Sequence, residues 1–456
     1  MSFGDALYSL LPVPFQNLAF SAYGVYWYWL RFGVGFRESL IGYIERENFE
    51  DAEWKAWQSA RLKGVLQSAL RSPYYAGAWT PSQKQAAEAG DLSGLPLLEK
   101  DPLRQNPRAF VSRPRRDYTF YTSGSTGTPI ASIWTAAEIR DSLALREARS
   151  ALWAGVSFGL PRVTFSGRIV VPNPQSSGPF HRYNMIERQV YFSAFHLRPD
   201  TASRYVKALR RHKIEWGTGY AVSFYLLGKF ILSEKIEPPK LRSIITTSEK
   251  LTPEMRSVIE EAFQCQVFEE YSTVENALFA SECEQGRLHV SPDASIVEII
   301  RPDGTPCLPG EVGEVVATCL IRAHQPLIRF RLGDLAAWDD RPCPCGRRMP
   351  VIREVVGRIE DVVIGPDGRQ MVRFHGVFVN QPHVQEGQVI QESLSQITVR
   401  VVPTKDYTEE DTQDIIQRIR QRLGANVDVT VEQVTNIPRT KSGKFQAVIS
   451  HLKKNG

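Results

Sequence analysis

Apolar residues recur along the chain with the two spacings that distinguish helices from strands. Helical spacing predicts helices at residues 51–75, 135–153, 200–214, 222–233 and 252–263. Short apolar runs predict strands at residues 168–172, 241–247 and 313–320. Alternation of strands and helices indicates parallel β units with helices on their faces, and in such folds ligand loops lie at the strand ends. The N-terminal part is therefore predicted to be α/β.

The pattern changes near residue 360. Residues 395–402 alternate like a strand, residues 408–423 form a charged amphipathic helical pattern, and residues 426–433 alternate again. These elements predict a small α/β module. We therefore expect a large α/β domain at residues 1–359 and a small α/β domain at residues 360–456.

Residues 7–30 carry no charged side chain and are rich in aromatic residues. Pro12, Pro14 and two amides interrupt the apolar run, which leaves it shorter than the ~20 residues that a spanning helix needs. Two interpretations stay open. The segment is either a helix packed on the core or a peripheral contact with a membrane through Trp and Tyr side chains.

Composition excludes several classes of protein. Hydrophobic residues make up 42% and charged residues 23% of the 456 positions, as in a folded globular chain. A net charge of +5 is too small to indicate a nucleic-acid partner. Six cysteines give no disulfide framework, and the N-terminus has no basic region typical of a secretion signal. We expect a cytoplasmic protein, either free or peripheral to the inner face of the membrane.

Residues 121–129 read Y-T-S-G-S-T-G-T-P. Such a sequence is typical of a solvated turn, but its glycines and hydroxyls also suit a loop that binds phosphate through backbone and side-chain donors. It is not a Walker loop, because the G-x-x-x-x-G-K pattern is missing.

Four further stretches decide between these readings, because with residues 121–129 they follow the order of the adenylate-forming superfamily. They read E-Y-S-T-V-E (270–275), R-F-R-L-G-D-L (329–335), G-R-I-E-D (357–361) and P-R-T-K-S-G-K (438–444). They resemble the family stretches Y-G-x-T-E, Y-R-T-G-D-L, G-R-x-D-D and P-R-T-x-S-G-K. Within this superfamily of acyl-CoA synthetases, the chain resembles the phenylacetate–CoA ligase branch, and most of all its capsular-polysaccharide relatives.

The resemblance implies an AMP-forming ligase that uses ATP and Mg²⁺ to activate a carboxylic acid. It gives catalytic roles to Lys444, Glu275 and Thr126, with Glu275 holding the Mg²⁺. It assigns ATP binding to Thr122, Ser123, Ser125, Thr126, Gly127, Ser248, Glu249, Tyr271, Ser272, Thr273, Asp334 and Arg358. The C-terminal module would be mobile and would carry Lys444 to and from the site.

The acyl acceptor stays open. CoA is one choice and an amine or hydroxyl is the other, because residues 365–371 (G-P-D-G-R-Q-M) differ from the glycine-bearing stretch that relatives use for pantetheine. Two other functions are compatible with the motifs. One is an adenylyltransferase that keeps AMP on its acceptor, and the other is a non-catalytic nucleotide-binding scaffold in a polysaccharide-assembly complex.

Cys283, His289, Cys343 and Cys345 suit a structural zinc site. Cys343-Pro-Cys345-Gly346 resembles a zinc knuckle, and three thiolates with one imidazole can form a closed tetrahedron. Several relatives carry such a site. The alternative is a set of reduced thiols without metal.

Overall fold

The computed structural model describes residues 8, 11–122, 130–166, 170–171, 176–358, 363–366, 370–371, 375–378, 381, 383–439 and 445–452. By internal packing the chain forms two units. The first contains Met1–Leu332 and Ala337–Glu354, and the second contains Gly333–Ala336 and Val355–Gly456. The boundary predicted between residues 359 and 360 lies outside the described residues and stays a prediction.

The first unit holds ten of the described α-helices. They are α1 (Val13–Phe32), α2 (Phe36–Glu45), α3 (Asp51–Leu70), α4 (Pro73–Ala78), α5 (Pro81–Ala89), α6 (Lys100–Gln105), α7 (Ala136–Arg146), α8 (Pro199–Arg211), α9 (Ala221–Ser233) and α10 (Pro253–Phe263). Short helical turns lie at Arg46–Asn48, Pro107–Phe110, Glu147–Ala151 and Ala194–His196. None of the helices within the described residues has the length and hydropathy needed to cross a bilayer.

Side-chain caps explain where two of these helices begin. The Thr252 hydroxyl accepts the Met255 N–H at 3.2 Å, and Pro253 occupies the first turn of α10. At the start of α7, Thr135 accepts the Glu138 N–H at 3.2 Å while the Glu138 carboxylate accepts the Thr135 N–H at 2.8 Å. All five predicted helices of this region are confirmed, although the helix predicted to reach residue 153 changes to a wider turn after Arg146.

Fourteen of the described strands lie between Tyr118 and Arg358, and of these β13 and β14 contribute Gly333–Ala336 and residues 355–358 to the second unit. They are β1 (Tyr118–Tyr121), β2 (Ala131–Trp134), β3 (Arg162–Phe165), β4 (His181–Asn184), β5 (Gln189–Phe192), β6 (Trp216–Tyr220), β7 (Ser243–Thr247), β8 (Gln266–Ser272), β9 (Phe279–Glu282), β10 (Leu288–Val290), β11 (Ser295–Ile300), β12 (Val312–Cys319), β13 (Phe330–Asp339) and β14 (Val351–Arg358). Strands β1 and β2 form a separate hairpin, and the others form one 12-stranded sheet. Its order is β11-β12-β13-β14-β10-β9-β8-β7-β6-β3-β5-β4.

Only part of this sheet is parallel. Neighbours along β5-β3-β6-β7-β8 are parallel, as the alternation of strands and helices predicts. Strand β12, which covers the predicted strand at residues 313–320, pairs antiparallel with β11. The expectation of parallel units is therefore wrong there, because the connection between β11 and β12 is too short for a crossover helix.

The strand predicted at residues 168–172 is wrong where the structure describes it. Val170 and Val171 form a bend, and the strand of this region ends earlier, at Phe165. Both valines are buried beside Tyr191, so the apolar run fills a core position without joining the sheet.

The second unit has its own core. Its remaining elements are β15 (Val363–Ile364), β16 (Gln370–Met371), α11 (His375–Phe378), β17 (Val384–Gln391), β18 (Gln396–Pro403), α12 (Glu409–Leu423), β19 (Asp428–Gln433) and β20 (Val448–Ser450). Strands β19-β18-β17-β20 form a sheet. Ile415, Ile419 and Leu423 repeat every four residues along α12 and are fully buried in the core that the sheet shares. The strand, helix and strand predicted at residues 395–433 are confirmed.

Candidate active site

The carboxyl ends of four parallel strands meet at one edge of the large sheet. The register pairs Phe165 of β3 with Gly219 of β6, Tyr220 with Thr247 of β7, and Thr247 with Glu270 of β8. The segments that follow β7 and β8 are those predicted to contact ATP. The sheet therefore brings these two segments side by side at the edge where α/β folds bind ligands.

Gly219 allows the close approach of two strand ends. A Cβ atom at this position would lie 1.8 Å from the Phe165 carbonyl oxygen, and the backbone φ is +130°, which favours glycine. Any side chain at Gly219 would push β6 away from β3.

The segment after β7 is fixed by its backbone and by one carboxylate. Ser248 adopts a left-handed conformation with φ of 71°, which is uncommon for a residue with a side chain. The Glu249 carboxylate accepts the Val222 N–H of the first turn of α9 at 3.0 Å. The Glu249 carboxylate thus links the segment after β7 to the start of α9, the helix that follows β6.

The segment after β8 forms a turn held by its own hydroxyls. The Ser272 hydroxyl donates to the Glu270 carboxylate at 3.2 Å, and the Thr273 hydroxyl accepts the Ala277 N–H at 3.2 Å. Tyr271 is half-buried at the end of β8. The turn places Glu275 in a buried position, where its carboxylate interacts electrostatically with the buried Arg322 guanidinium.

Two residues that the sequence did not single out join this turn to the hairpin of the phosphate loop. The buried Arg322 guanidinium donates to the Glu275 carbonyl at 2.5 Å, to the Ser132 hydroxyl of β2 at 2.9 Å and to the Ile133 carbonyl. The Gln325 side-chain carbonyl accepts from Arg322 at 3.1 Å and from the Ile133 N–H at 2.9 Å. Polar residues within the largely apolar run at 319–328 (C-L-I-R-A-H-Q-P-L-I) were the available sequence signal.

The predicted phosphate loop is described only at its base. The Thr122 hydroxyl accepts the Ile130 N–H at 2.9 Å, and the Thr122 N–H donates to the Ile130 carbonyl at 3.0 Å, which closes the hairpin on both sides of the loop. Ser123, Ser125, Thr126, Gly127 and Lys444 lie outside the described residues.

The two remaining ATP-binding candidates belong to the second unit. Asp334 is buried in strand β13, and Arg358 is the last residue of β14. Their ATP-binding roles stay predictions.

Cys283, His289, Cys343 and Cys345 converge, with their potential ligand atoms within 4.8 Å of one another. The sulfurs of Cys283 and Cys343 are 3.6 Å apart, and the Cys345 sulfur is 3.4 Å from His289 Nε2. Cys283 follows β9, His289 is in β10, and the other two cysteines lie between β13 and β14. The cluster therefore links the β9–β10 hairpin to the β13–β14 connection.

The chemistry of the cluster fits a zinc ion. His289 Nδ1 donates to the Met349 carbonyl at 3.2 Å, so its other nitrogen faces the thiols as an acceptor. Burial lowers the pKa of His289 to about 4, which keeps the imidazole neutral near pH 7. Three sulfurs and one neutral imidazole form the donor set of a closed structural site.

Known proteins resemble this chain over most of its length. Protein CapK of Staphylococcus aureus is 26% identical over 378 residues, which cover 80% of this chain and 81% of that protein. A phenylacetate–coenzyme A ligase of Thermus thermophilus is 23% identical and covers 89% of this chain and 98% of its own length. A family model described as the CapK C-terminal domain matches residues 364–451.

Solved structures show the same fold. A 2-hydroxyisobutyryl-CoA ligase in the postadenylation state, in complex with 2-HIB-AMP, has a TM-score of 0.69 at 22% identity and covers 89% of this chain and 91% of that one. A fatty acyl-adenylate ligase structure has a TM-score of 0.52 at 18% identity, with 87% and 80% covered. The chain is therefore a homologue of the phenylacetate–CoA ligases and of the capsule protein CapK, and it has the fold of the adenylate-forming ligases.

Proposed function

We propose that this protein is an AMP-forming ligase that activates a carboxylic acid with ATP. The acid oxygen attacks the α-phosphorus, an acyl-adenylate forms and pyrophosphate leaves. The acyl group then passes to an acceptor, and AMP is released. One observation carries the proposal: the register of β7 and β8 brings the two predicted nucleotide-binding segments side by side at one edge of the sheet. The similarity of the chain to a known ligase supports the same function.

Glu275 is the proposed magnesium ligand. A buried carboxylate suits a hard cation, which prefers oxygen ligands. Mg²⁺ would offset charge on the leaving pyrophosphate. Arg322 holds the backbone of this turn against β2, so it acts as a positioning residue for Glu275.

The remaining roles follow from the motifs. Thr122, Ser123, Ser125, Thr126 and Gly127 would donate to the phosphates. Ser248, Glu249, Tyr271, Ser272 and Thr273 would surround the adenine, and Asp334 with Arg358 would bind the ribose. Lys444 would offset negative charge that develops between the carboxylate and the α-phosphate.

CoA is the acceptor that the solved relatives favour. One structure of 2-hydroxyisobutyryl-CoA ligase contains both 2-HIB-AMP and CoA, with a TM-score of 0.56. An amine or hydroxyl acceptor is the alternative, and the similarity to CapK favours a role in capsular polysaccharide synthesis. The acid itself is left to experiment.

Zinc would be structural in this enzyme. A closed Cys₃His site leaves no position for substrate, so the ion would stabilise the β9–β10 hairpin without taking part in the reaction. The hairpin directly follows the turn that contains Glu275, so the ion would also stabilise the position of this turn.

A panel of acids and acceptors tests the function. Purified protein with ATP and Mg²⁺ should exchange labelled pyrophosphate into ATP only when its acid is present, and Lys444→Ala should lower this exchange by about 10²- to 10³-fold. Mass spectrometry of the products separates the alternatives: free AMP with an acylated acceptor supports the ligase, whereas AMP retained on the acceptor indicates an adenylyltransferase. Nucleotide binding without turnover for any acid would indicate a scaffold.

A further inference from the structure

Helix α1 leaves most of its large apolar side chains exposed to solvent, while its protein-facing side combines polar and apolar residues. Its buried positions are Gln16, Ser21, Gly24 and Leu30. Its large exposed side chains, with the exposed fraction of each, are Phe15 (58%), Leu18 (57%), Tyr23 (58%), Val25 (54%), Tyr26 (39%), Tyr28 (46%) and Trp29 (63%). An ordinary surface helix buries most of its apolar side chains. Helix α1 instead buries Leu30, partly buries Phe20 and Trp27, and leaves these seven exposed.

Hydrogen bonds to strand β4 and the turn after it fix this orientation. Gln16 accepts from the Arg182 guanidinium, the Asn17 side-chain carbonyl accepts the Tyr183 N–H at 3.0 Å, and the Ser21 hydroxyl accepts the Met185 N–H at 3.1 Å. Because these polar groups are bonded where they are, a rotation of α1 that buried its aromatic face would leave several of them unpaired.

A glycine adds a steric constraint. A Cβ atom at Gly24 would lie 2.5 Å from the Asn184 side-chain amide, so the helix backbone packs directly on the end of β4. The outward direction of the apolar face is therefore built into the contacts of α1.

The apolar surface extends beyond the helix and has a basic border. Met185 and Ile186, in the turn after β4, are 54% and 42% exposed. On another side, the Tyr26 hydroxyl contacts the Arg116 guanidinium, and Arg113 and Arg115 of the same segment are also exposed. No acidic side chain occurs in α1.

We propose that the outward face of α1, together with Met185 and Ile186, binds the surface of a membrane that contains anionic lipids. A 20-residue helix lying along the bilayer would extend about 30 Å. Tyr and Trp rings suit the boundary between acyl chains and headgroups, because each combines an apolar body with a polar group. The three arginines would lie near anionic headgroups, to which polybasic segments are attracted.

Charge favours lipid over a second copy of the chain. A two-fold contact through this face would bring the same surface of both copies together. The arginine segments of both copies would then lie at one interface without acidic residues from α1 to offset them. A bilayer with anionic headgroups supplies that negative charge.

Vesicle flotation with the full chain tests the proposal. The protein should float with vesicles of phosphatidylglycerol and phosphatidylcholine, and less with phosphatidylcholine alone. Replacing both Leu18→Ser and Trp29→Ser should lower the partition coefficient by roughly tenfold or more, because two large apolar side chains lose their burial. Arg113→Gln with Arg115→Gln should lower binding to anionic vesicles by roughly tenfold and leave binding to neutral vesicles unchanged.

Matched controls separate a membrane surface from general stickiness. Leu308→Ser removes a leucine that is 66% exposed elsewhere, and it should leave flotation unchanged. In brominated lipid, Trp fluorescence should be quenched in the wild type and much less in Trp29→Phe, which keeps the apolar face. Equal flotation of the Leu18→Ser/Trp29→Ser variant and the wild type would overturn the proposal. The proposal would also be overturned if the wild type did not float but formed a dimer, seen by light scattering, and the Leu18→Ser/Trp29→Ser variant were a monomer.

Discussion

Arg322→Met should damage both the stability of the protein and the geometry of its candidate magnesium ligand. The guanidinium makes four hydrogen bonds, to the side chains of Ser132 and Gln325 and to the carbonyls of Ile133 and Glu275. Methionine fills similar space but removes the guanidinium donor from the Ile133 and Glu275 carbonyls, whereas the Ser132 hydroxyl still accepts the Trp134 indole N–H and the Gln325 side chain still accepts the Ile133 N–H. Each unpaired acceptor costs about 1–3 kcal/mol. Part of this cost is offset because the variant no longer buries a charged side chain.

We therefore expect a loss of about 3–5 kcal/mol in the free energy of unfolding, measured by urea titration. The residual folded protein should need more Mg²⁺ for half-maximal pyrophosphate exchange, because the turn of Glu275 loses its link to β2. Arg301→Met, which removes an exposed ion pair with Glu311, is the control and should unfold like the wild type. A loss of stability below about 1 kcal/mol is typical of a substitution at the surface, and it would refute the stabilising role of the buried Arg322 hydrogen bonds.

Four further substitutions test other parts of the structure. Lys444→Ala should lower acid-dependent pyrophosphate exchange by about 10²- to 10³-fold with nucleotide binding retained, since it removes charge stabilisation from the transition state. Glu275→Gln should raise the Mg²⁺ concentration needed for exchange, whereas an unchanged Mg²⁺ titration would exclude it as a ligand. Cys345→Ser should lower bound zinc, measured by elemental analysis, and the melting temperature, while Cys265→Ser outside the cluster should change neither. Burial, with His212 and Arg182 nearby, lowers the pKa of His181 from 6.5 to about 4. The free energy of unfolding should therefore fall by up to about 3 kcal/mol as the pH is lowered from 6.5, the pKa of the unfolded chain, to about 4, the pKa in the folded protein. In urea titrations at several pH values, His181→Gln should show a weaker dependence of stability on pH.

The sequence correctly predicted those helices and strands in which the spacing of apolar residues follows from their burial. Ile415, Ile419 and Leu423 line one side of α12 because a four-residue repeat keeps them on one face. The convergence of the three cysteines and the histidine could also be predicted, because few residue types bind zinc and the Cys343-Pro-Cys345-Gly346 segment has a characteristic spacing. In these cases the chemistry of the side chain limits the possible environments.

Other features depend on contacts between distant parts of the chain, and sequence spacing does not contain them. Arg322 and Ser132 are 190 positions apart, and only the folded sheet brings them together. Val170 and Val171 resemble a strand because burial selects apolar residues whether or not the backbone joins a sheet. The side of α1 that faces the protein was equally hidden, since hydrogen bonds to β4 and apolar contacts of Phe20 and Leu30 with distant residues determine it.

The sulfur contact in the Cys/His cluster has a consequence for handling the protein in air. Cys283 and Cys343 lie 60 positions apart, yet their sulfurs are 3.6 Å from each other. A disulfide needs only about 2.05 Å between the sulfurs, so a small movement would suffice for an oxidant to join them. Coordination to a metal would occupy the same lone pairs and oppose this reaction. Oxygen during purification would thus favour a covalent cross-link between Cys283 and Cys343.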